Sequence, residues 1–536
     1  MTNNEGLRPA LYHRFHFLLP LVNNRVARKA WRILVWGFWL VYFSFVVLVL
    51  ALRYSVLPHI ENYRADIERL TSQGLGQSVS IGRVEASWDG INPDLTLLDV
   101  RIADADGRPA LAFSRVEAIL SWWSVPMAQL NLRLLRIEEP TLNIRRDAQG
   151  HFFVAGIPLA QEKSDGSAAE WILAQHRIRI SGATVVWEDE LRNAPMLVLE
   201  DLDFALDNDR KGHRLGLTAL PPEGLADRID VRGDFRGTDI ERMALWSGRA
   251  YAEIGYADLA VWRQWIDYPI ALPKGRGALR AWFGFANGGL REITSDLSLR
   301  DVSLQLAKNL PVLDLDYVSG RIGARFTGNG FVASGRGVEL ATREQPAVQK
   351  PVTQSEQVGR KSENGKTATP EAVEARAAIR VEPTDFQVEW RPLADGRSVE
   401  GSARASRLDV DALSRLAEYL PFDAHSRTLL ADFSPRGRVS GLEATWSGNA
   451  ERLRTYTLKA RFDGLSLKAQ GHFPGFSDLS GSLEASDTGG VVSLHAKKPT
   501  LDLPQVFPVS LIALDSLNAQ AKWQINQGEV AVDLRI

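Results

Sequence analysis

The chain has 536 residues, with 63 Lys and Arg against 65 Asp and Glu, so a formal charge of -2 offers no long-range steering toward nucleic acid or acidic partners. It contains no cysteine, which excludes disulfides, thiolate zinc sites, iron–sulfur clusters and a cysteine nucleophile, and leaves the fold to stand on packing alone. At several times ordinary domain size it either divides into several cores or grows as one elongated repeat.

Residues 1–32 are basic. Arg8 and Arg14 lie furthest out, and Arg25, Arg28, Lys29 and Arg32 flank the run ILVWGFWLVYFSFVVLVLAL from Ile33 to Leu52, which carries no charge. At 1.5 Å per helical residue that run matches a hydrocarbon core of ~30 Å, so the expectation is a transmembrane helix over 33–52. Its anchor residues include Ile33, Trp36, Trp39, Phe43, Val47 and Leu52. The excess of Arg and Lys before the run places residues 1–32 in the cytoplasm and everything after Arg53 across the membrane. A cleaved signal peptide fits less well. The apolar run exceeds the usual length of about 7–15 residues, and LRYSVLPH offers no small-x-small cleavage site.

Residues 53–76 read as a short amphipathic helix. In PHIENYRADIERL, Ile60, Tyr63, Ile67 and Leu70 form a stripe of helical period, and Gly74 and Gly76 stop it. The stripe packs on the first strands or on the membrane surface, the former being the commoner case.

Beyond it the apolar period changes to two. Leu98, Val100 and Ile102 alternate with charge, as do Leu130, Leu132 and Leu134; Leu202, Phe204 and Leu206; Ile229, Val231 and Phe235; Leu458 and Phe462; and Leu465 and Leu467. Successive side chains of a strand point to opposite faces, so each run is a half-buried strand with one apolar and one charged side. The glycine-containing turns DADG (Asp104 to Gly107), DAQG (Asp147 to Gly150), TGNG (Thr327 to Gly330) and ADG (Ala394 to Gly396) separate strand-like runs. On the order of 25 strands are expected. Two segments look helical, Ala257 to Ile266 and Val410 to Tyr419, each with an Asp near its start as a cap.

Residues 345–376 hold no aromatic residue and are rich in Gln, Lys, Glu, Thr and Pro. They read as a disordered linker or loop insertion between a first β-block, 77–344, and a second, 377–536. The chain ends EVAVDLRI within an alternating run. That ending carries the expectation of a longer protein, or of a partner pairing with Gly528 to Ile536.

Catalytic signatures are missing from the sequence. It has no Gly-rich loop ending in Gly-Lys-Ser/Thr, no His-Glu-x-x-His and no Gly-x-Ser-x-Gly, and its nine histidines are scattered. Asp201 with Asp203, and Glu188 with Glu190, share a strand face in the manner of an acid/base pair, but every strand here carries its polar residues that way. Gly275 and Gly277 in KGRGALR read as a turn. Trp122, Trp123, Trp262 and Trp265 are expected in a core or at an interface rather than stacked on sugars or bases.

An extended sheet with one apolar face must cover it with a second sheet, with helices or with a ligand. Helices are too few for the purpose. The options are a self-closed sandwich or a groove filled by acyl chains, in which the alternating residues named above form the lining.

The segment VLPHIENYRADIERLTSQGLGQSVSIGRVEASWDGINPDLTLLDVRIADADGRPAL (Val56 to Leu111) resembles the N-terminal region of the YhdP-type branch of the AsmA-like family. There an anchor is followed by Leu-Pro-His, a short helix, a strand ending in Ser-Trp, and Pro-x-Leu. Further matches are ADLAVWRQWIDYPIALPKGRGALRAWFGF, RLDVDALSRLAEYLPFDAHSRTLLADFSPRGRVSGLEATWSG and LSGSLEASDTGGVVSLHAKKPTLDLPQVF. The resemblance implies a mainly β fold, with an N-terminal transmembrane helix followed by a long curled antiparallel repeating β-groove and a few short helices. It implies a bacterial inner-membrane protein whose bulk is periplasmic. Such a protein moves phospholipid toward the outer membrane and supports its permeability barrier, with no enzymatic activity, no cofactor, no metal and no nucleic-acid partner. Outer-membrane or envelope proteins are the other partners it allows. The alternative from the residues is an assembly factor for outer-membrane or secreted β-proteins that works through open strand edges.

Overall fold

The computed structural model describes residues 25–75, 78–103, 109–127, 129–154, 157–158, 167–209, 211–237, 243–268, 270–343, 378–393, 398–422, 424–449, 453–471, 473–504, 510–526 and 529–536, and all structural statements concern these.

The N-terminal helix runs from Arg25 to Ala51, beginning ahead of the apolar run and taking in its basic flank. Among the described residues it belongs to the one helical stretch long and apolar enough to cross a membrane, and none of its apolar window is buried in the protein. It continues through a π turn, Leu52–Val56, into a 3₁₀ segment, Leu57–Tyr63, kinked at His59. Pro58 lies in the first turn of that segment, where it has no N–H to give and crowds the preceding turn. The α-helix Arg64–Leu75 follows. Ile60 and Ile67 of the expected stripe pack on a cluster of Val79, Ile81, Val84, Val100 and Val116, while Tyr63 is exposed.

All 26 strands belong to one sheet. From Val79–Asp89 onward each long strand pairs antiparallel with the next, so the topology is a meander. The antiparallel sheet has one local exception. The short strands Leu132–Glu138 and Thr141–Arg146 lie end to end, and both run parallel to Arg177–Asp189. Parallel neighbours need a crossover, and the helix Ser167–Ala174 lies within it.

Strand Gly330–Thr342 pairs directly with Arg380–Pro392, so the sheet passes without interruption between the two expected blocks. The linker between them lies outside the described residues, as do the turns at 104–107 and 394–396. Counted along the hydrogen-bonding direction the meander has about twenty rungs, and at ~4.8 Å per rung it is a ribbon ~100 Å long.

A line of irregularities runs along the ribbon. Asp99, Asp201, Asp301 and Asp478 sit within strands at φ of 52°, 46°, 52° and 56°, and Gly182, Gly337, Gly441 and Gly464 at 62°, 57°, 57° and 62°. Register shifts fall beside many of them, as between Ile180 and Ala183, Gly335 and Val338, Ser440 and Glu443, and Phe462 and Leu465. A bulge bends its strand and reverses the alternation of faces, so Leu97 and Val100, three apart, join the same cluster. Stacked from rung to rung, the bulges crease the ribbon along its length. Neighbouring side chains take up the amides that the bulges free. Asp203 accepts from Gly182 N at 3.1 Å, Asp385 from Gly337 N at 2.7 Å, and Ser480 from Gly464 N at 3.1 Å.

Both expected helices form, shorter than read. Leu259–Trp262 is capped by Asp258, and Val410–Leu416 by Asp409. They cover part of the apolar face. Ala412, Leu416, Leu259 and Tyr268 pack on Leu272, Val302, Leu313, Leu315 and Ile379. Three further α-helices, Ser124–Met127, Ser167–Ala174 and Ala424–Phe433, have no counterpart among the expected elements.

Candidate functional site: a continuous apolar face

Residues paired across strands lie on the same face of a sheet, so the pairing register traces rows along the ribbon. One row begins Ala86, Leu95, Ala118, Leu135, Ile178, Leu206, Leu215, Gly233, Ala250, Phe283 and Ile293. It continues Ala324, Ala333, Val388, Ala403, Ala444, Leu458, Ala485, Gly490, Trp523 and Val532. It reaches from the first strand to the last, and not one member is polar. The next row on the other face holds Asp207, Arg214, Asp234, Arg249, Gly284, Glu292 and Arg325 in succession.

Glycines opposite aromatic residues keep the apolar face low. A Cβ placed on Gly401 would fall 2.3 Å from the ring of Trp446, one on Gly490 2.3 Å from Trp523, and one on Gly335 2.2 Å from Phe386. Each ring therefore lies over its glycine partner instead of standing up from the sheet.

The opposite face is held by ion pairs. Arg280 meets Glu253, Arg321 meets Asp296, and Arg325 meets Glu292, while the Arg321 guanidinium also sits 5.4 Å from the Trp282 ring centre. The Tyr251 hydroxyl and Arg280 hold the Glu253 carboxyl below its ordinary range, and Arg321 does the same for Asp296. Two hollows of ≈ 570 and ≈ 680 Å³ lie on this side of the sheet, one bordered by Arg321, Arg336, Arg404 and Glu443, the other by Lys459, Glu484 and Lys522. Such linings suit water and ions and would expel an acyl chain.

The register places the expected lining residues as follows. Val100 and Ile102 lie on the apolar side, with Leu206 and Leu458 in the row itself and Leu202, Phe204, Ile229, Val231, Phe235 and Phe462 flanking it on the same face. Leu465 and Leu467 pair with Leu479 and Phe476 beyond the crease. Three expectations are corrected. Leu98 pairs with Arg83 and Arg115 on the charged face, because the positive φ of Asp99 reverses the alternation just after it. Leu130 lies outside any strand and is exposed, its carbonyl accepting from Trp171. Leu134 pairs with Ile119 on the side of Glu117 and Arg136, and Leu135 and Ile137 carry the apolar face instead. Leu132 is buried at the strand start, its N–H bonded to Gln175 at 2.7 Å.

The row's small members escaped notice because Ala and Gly barely mark a hydrophobic period. Ala250, Ala324, Ala333, Ala403 and Ala444 become visible only through their partners. Gly277, read as part of a turn, lies within strand Ala271–Ala286.

Three of the four carboxylates weighed for acid/base work are engaged structurally. Asp201 pairs with Arg228, Asp203 accepts from Gly182, and Glu190 pairs with Arg145. Trp262 is in a core with its indole N–H on Leu225 O, and Trp265 bonds Pro195 O. Along the N-terminal apolar run Ile33, Trp36, Trp39, Phe43 and Val47 are exposed and Leu52 half-buried, with Lys29 and Arg32 exposed beside them; Arg25 and Arg28 fall within the helix.

A membrane-length helix joined to a creased ribbon with one unbroken apolar row defines a long β-groove protein. The chain belongs to the family described as YhdP protein, whose pattern it matches over residues 23–535. A curated relative, the intermembrane phospholipid transporter YhdP of Escherichia coli (strain K12), is 23% identical over 508 residues, covering 91% of this chain and 36% of the relative. The chain thus spans about a third of that relative's length. No solved structure matches it.

Proposed function

We propose that the chain is an inner-membrane-anchored lipid conduit, or a section of one, in which phospholipid acyl chains lie on the apolar row while headgroups reach water. The row from Ala86 to Val532, apolar at every rung, carries this reading. Each acyl methylene taken from water contributes ~0.8 kcal/mol, enough to hold the tails. Because successive rungs offer nearly the same surface, no single position is a deep well, and sliding costs little.

The family membership and the transporter relative support the same reading. So does the basic flank of the N-terminal helix, which orients residues 1–32 toward the cytoplasm and the ribbon toward the periplasm. The direction toward the outer membrane and the support of its barrier belong to the proposal, as does a non-enzymatic role.

The experiment is extraction of the full chain from native membranes, with bound phospholipid quantified by mass spectrometry. A photo-reactive residue at Val388 is expected to capture phospholipid. Ala403→Asp puts a charge in the row and lowers the lipid content severalfold, whereas Ser402→Asp, one residue over on the charged face, leaves it unchanged. A folded protein that extracts free of lipid, or that loses as much from the Ser402 change as from the Ala403 change, refutes the conduit.

A further inference from the structure

The first hairpins carry an uncharged apolar cluster that the groove does not use. Ile91 at the tip of the first hairpin is 65% exposed, and Trp123, Val125 and Met127 in the loop after the third strand are 66%, 61% and 58% exposed. From Ser121 to Leu132 the sequence carries no charge. An exposed cluster of this kind marks a contact surface.

Two contacts with the N-terminal helix set its level. Arg53, at the end of the apolar run, lies 5.5 Å from the Trp88 ring centre. Deeper in that run, Phe45 meets Trp122 edge-on, with ring centres 4.8 Å apart. The Trp122 indole N–H donates to Ile91 O at 3.0 Å, tying the loop to the hairpin tip.

From Arg53 back to Phe45 the helix descends ~12 Å at 1.5 Å per residue. On the sheet side the first hairpin turns at Gly90 and Ile91, which puts Ile91 at the tip just beyond Trp88. With Arg53 at the headgroups, Trp122 and Ile91 lie ~10 Å inside a leaflet whose hydrocarbon is ~15 Å deep.

We infer that Ile91, Trp123, Val125 and Met127 form a platform immersed in the hydrocarbon of the leaflet on the ribbon's side, a second membrane contact beside the spanning helix. The occupant of this apolar surface is lipid, because the surface continues from a helix face that is itself in lipid. The row's first members, Ala86, Leu95 and Ala118, lie a few residues from these tips, so the platform seats the beginning of the groove in the leaflet. The inference rests on the helix crossing the bilayer and is independent of what the groove carries.

The cysteine-free chain makes the test direct, since every introduced thiol is unique. Trp123→Cys, Val125→Cys and Met127→Cys are made singly in the full chain and reconstituted in phosphatidylethanolamine and phosphatidylglycerol vesicles. They are compared with Ser447→Cys on the charged face and Val47→Cys in the span. The three loop thiols are expected to react with a water-soluble maleimide about tenfold more slowly than Ser447→Cys. A fluorophore on them is expected to be quenched by phospholipids bearing a nitroxide on the acyl chain. Loop thiols that react as fast as Ser447→Cys, with Val47→Cys protected, overturn the platform and leave the lipid conduit standing. Reaction at Val47→Cys as well overturns both the span and the platform.

Discussion

Aspartate at positive φ within a strand is the recurring residue-scale device of this protein. Asp99, Asp201, Asp301 and Asp478 adopt a backbone that β-branched residues resist, and Asp tolerates it because its short polar chain bonds locally. Asp301 also pairs with both Arg276 and Arg343. Asp301→Val combines the strain with loss of those partners and is expected to cost about 1–3 kcal/mol in denaturant unfolding. Asp301→Gly, which relieves the backbone, should lose less. On the charged face, Glu253 and Asp296 have carboxyl groups held below their ordinary range by Tyr251 and Arg280 and by Arg321. A lowered folded value means that their contribution is complete above the unfolded value and is lost as pH falls through the folded one. Thermal scans should therefore be flat near neutrality and decline below about pH 4, and Glu253→Gln should soften that decline.

At the level of elements, the helical segment from Leu57 to Leu75 is the lid on the sheet's first edge. Glu68 accepts from Ile81 N at 2.7 Å, Glu61 from Val84 N at 2.8 Å and Ser72 from Val79 N at 2.9 Å, while Arg64 donates to Gly82 O at 3.0 Å. An edge left with free donors would recruit another strand. Replacing Glu61 and Glu68 together by Ala is expected to cost about 2–4 kcal/mol locally. Hydrogen exchange at Ile81 and Val84 should report it, with protection falling there while amides of strand Gly330–Thr342 are unaffected. Unchanged protection at the first strand would mean that the apolar contacts of Ile60 and Ile67 alone secure the edge. The helix Ser167–Ala174 is anchored differently. Gln175, fully buried just after it, accepts from Leu132 N, and Asn208 donates to its carbonyl at 2.7 Å.

For the molecule as a whole, a conduit and a pocket respond differently to blockage. In a pocket only substitutions at the site matter. In a conduit, one charge anywhere along the row interrupts passage. Ala118→Asp, Ala250→Asp and Ala444→Asp lie in rungs far apart along the ribbon, and each is expected to abolish lipid movement to a similar degree. Lipid delivery between two vesicle populations, or restoration of the envelope barrier in cells lacking the protein, measures it. A loss confined to one of the three would replace the conduit by a local binding site.

The long apolar helix, the β class, the meander and most of the apolar strand faces were legible from residue order. A run of twenty uncharged residues and a period of two each encode a physical requirement within a few neighbouring positions. Where local patterning misled, the cause was non-local. Leu98 changed faces because Asp99 takes a positive φ that only its place in the crease demands, and Leu134 yielded to Leu135 because a bulge shifts the register at Leu120. The alanines and glycines of the row gain meaning from strands far off in the chain. Chain order thus determined which segments bury one side. Pairing between distant strands decided that those sides join into a single track, because a sheet's continuity is a property of hydrogen bonds between strands and not of any one strand.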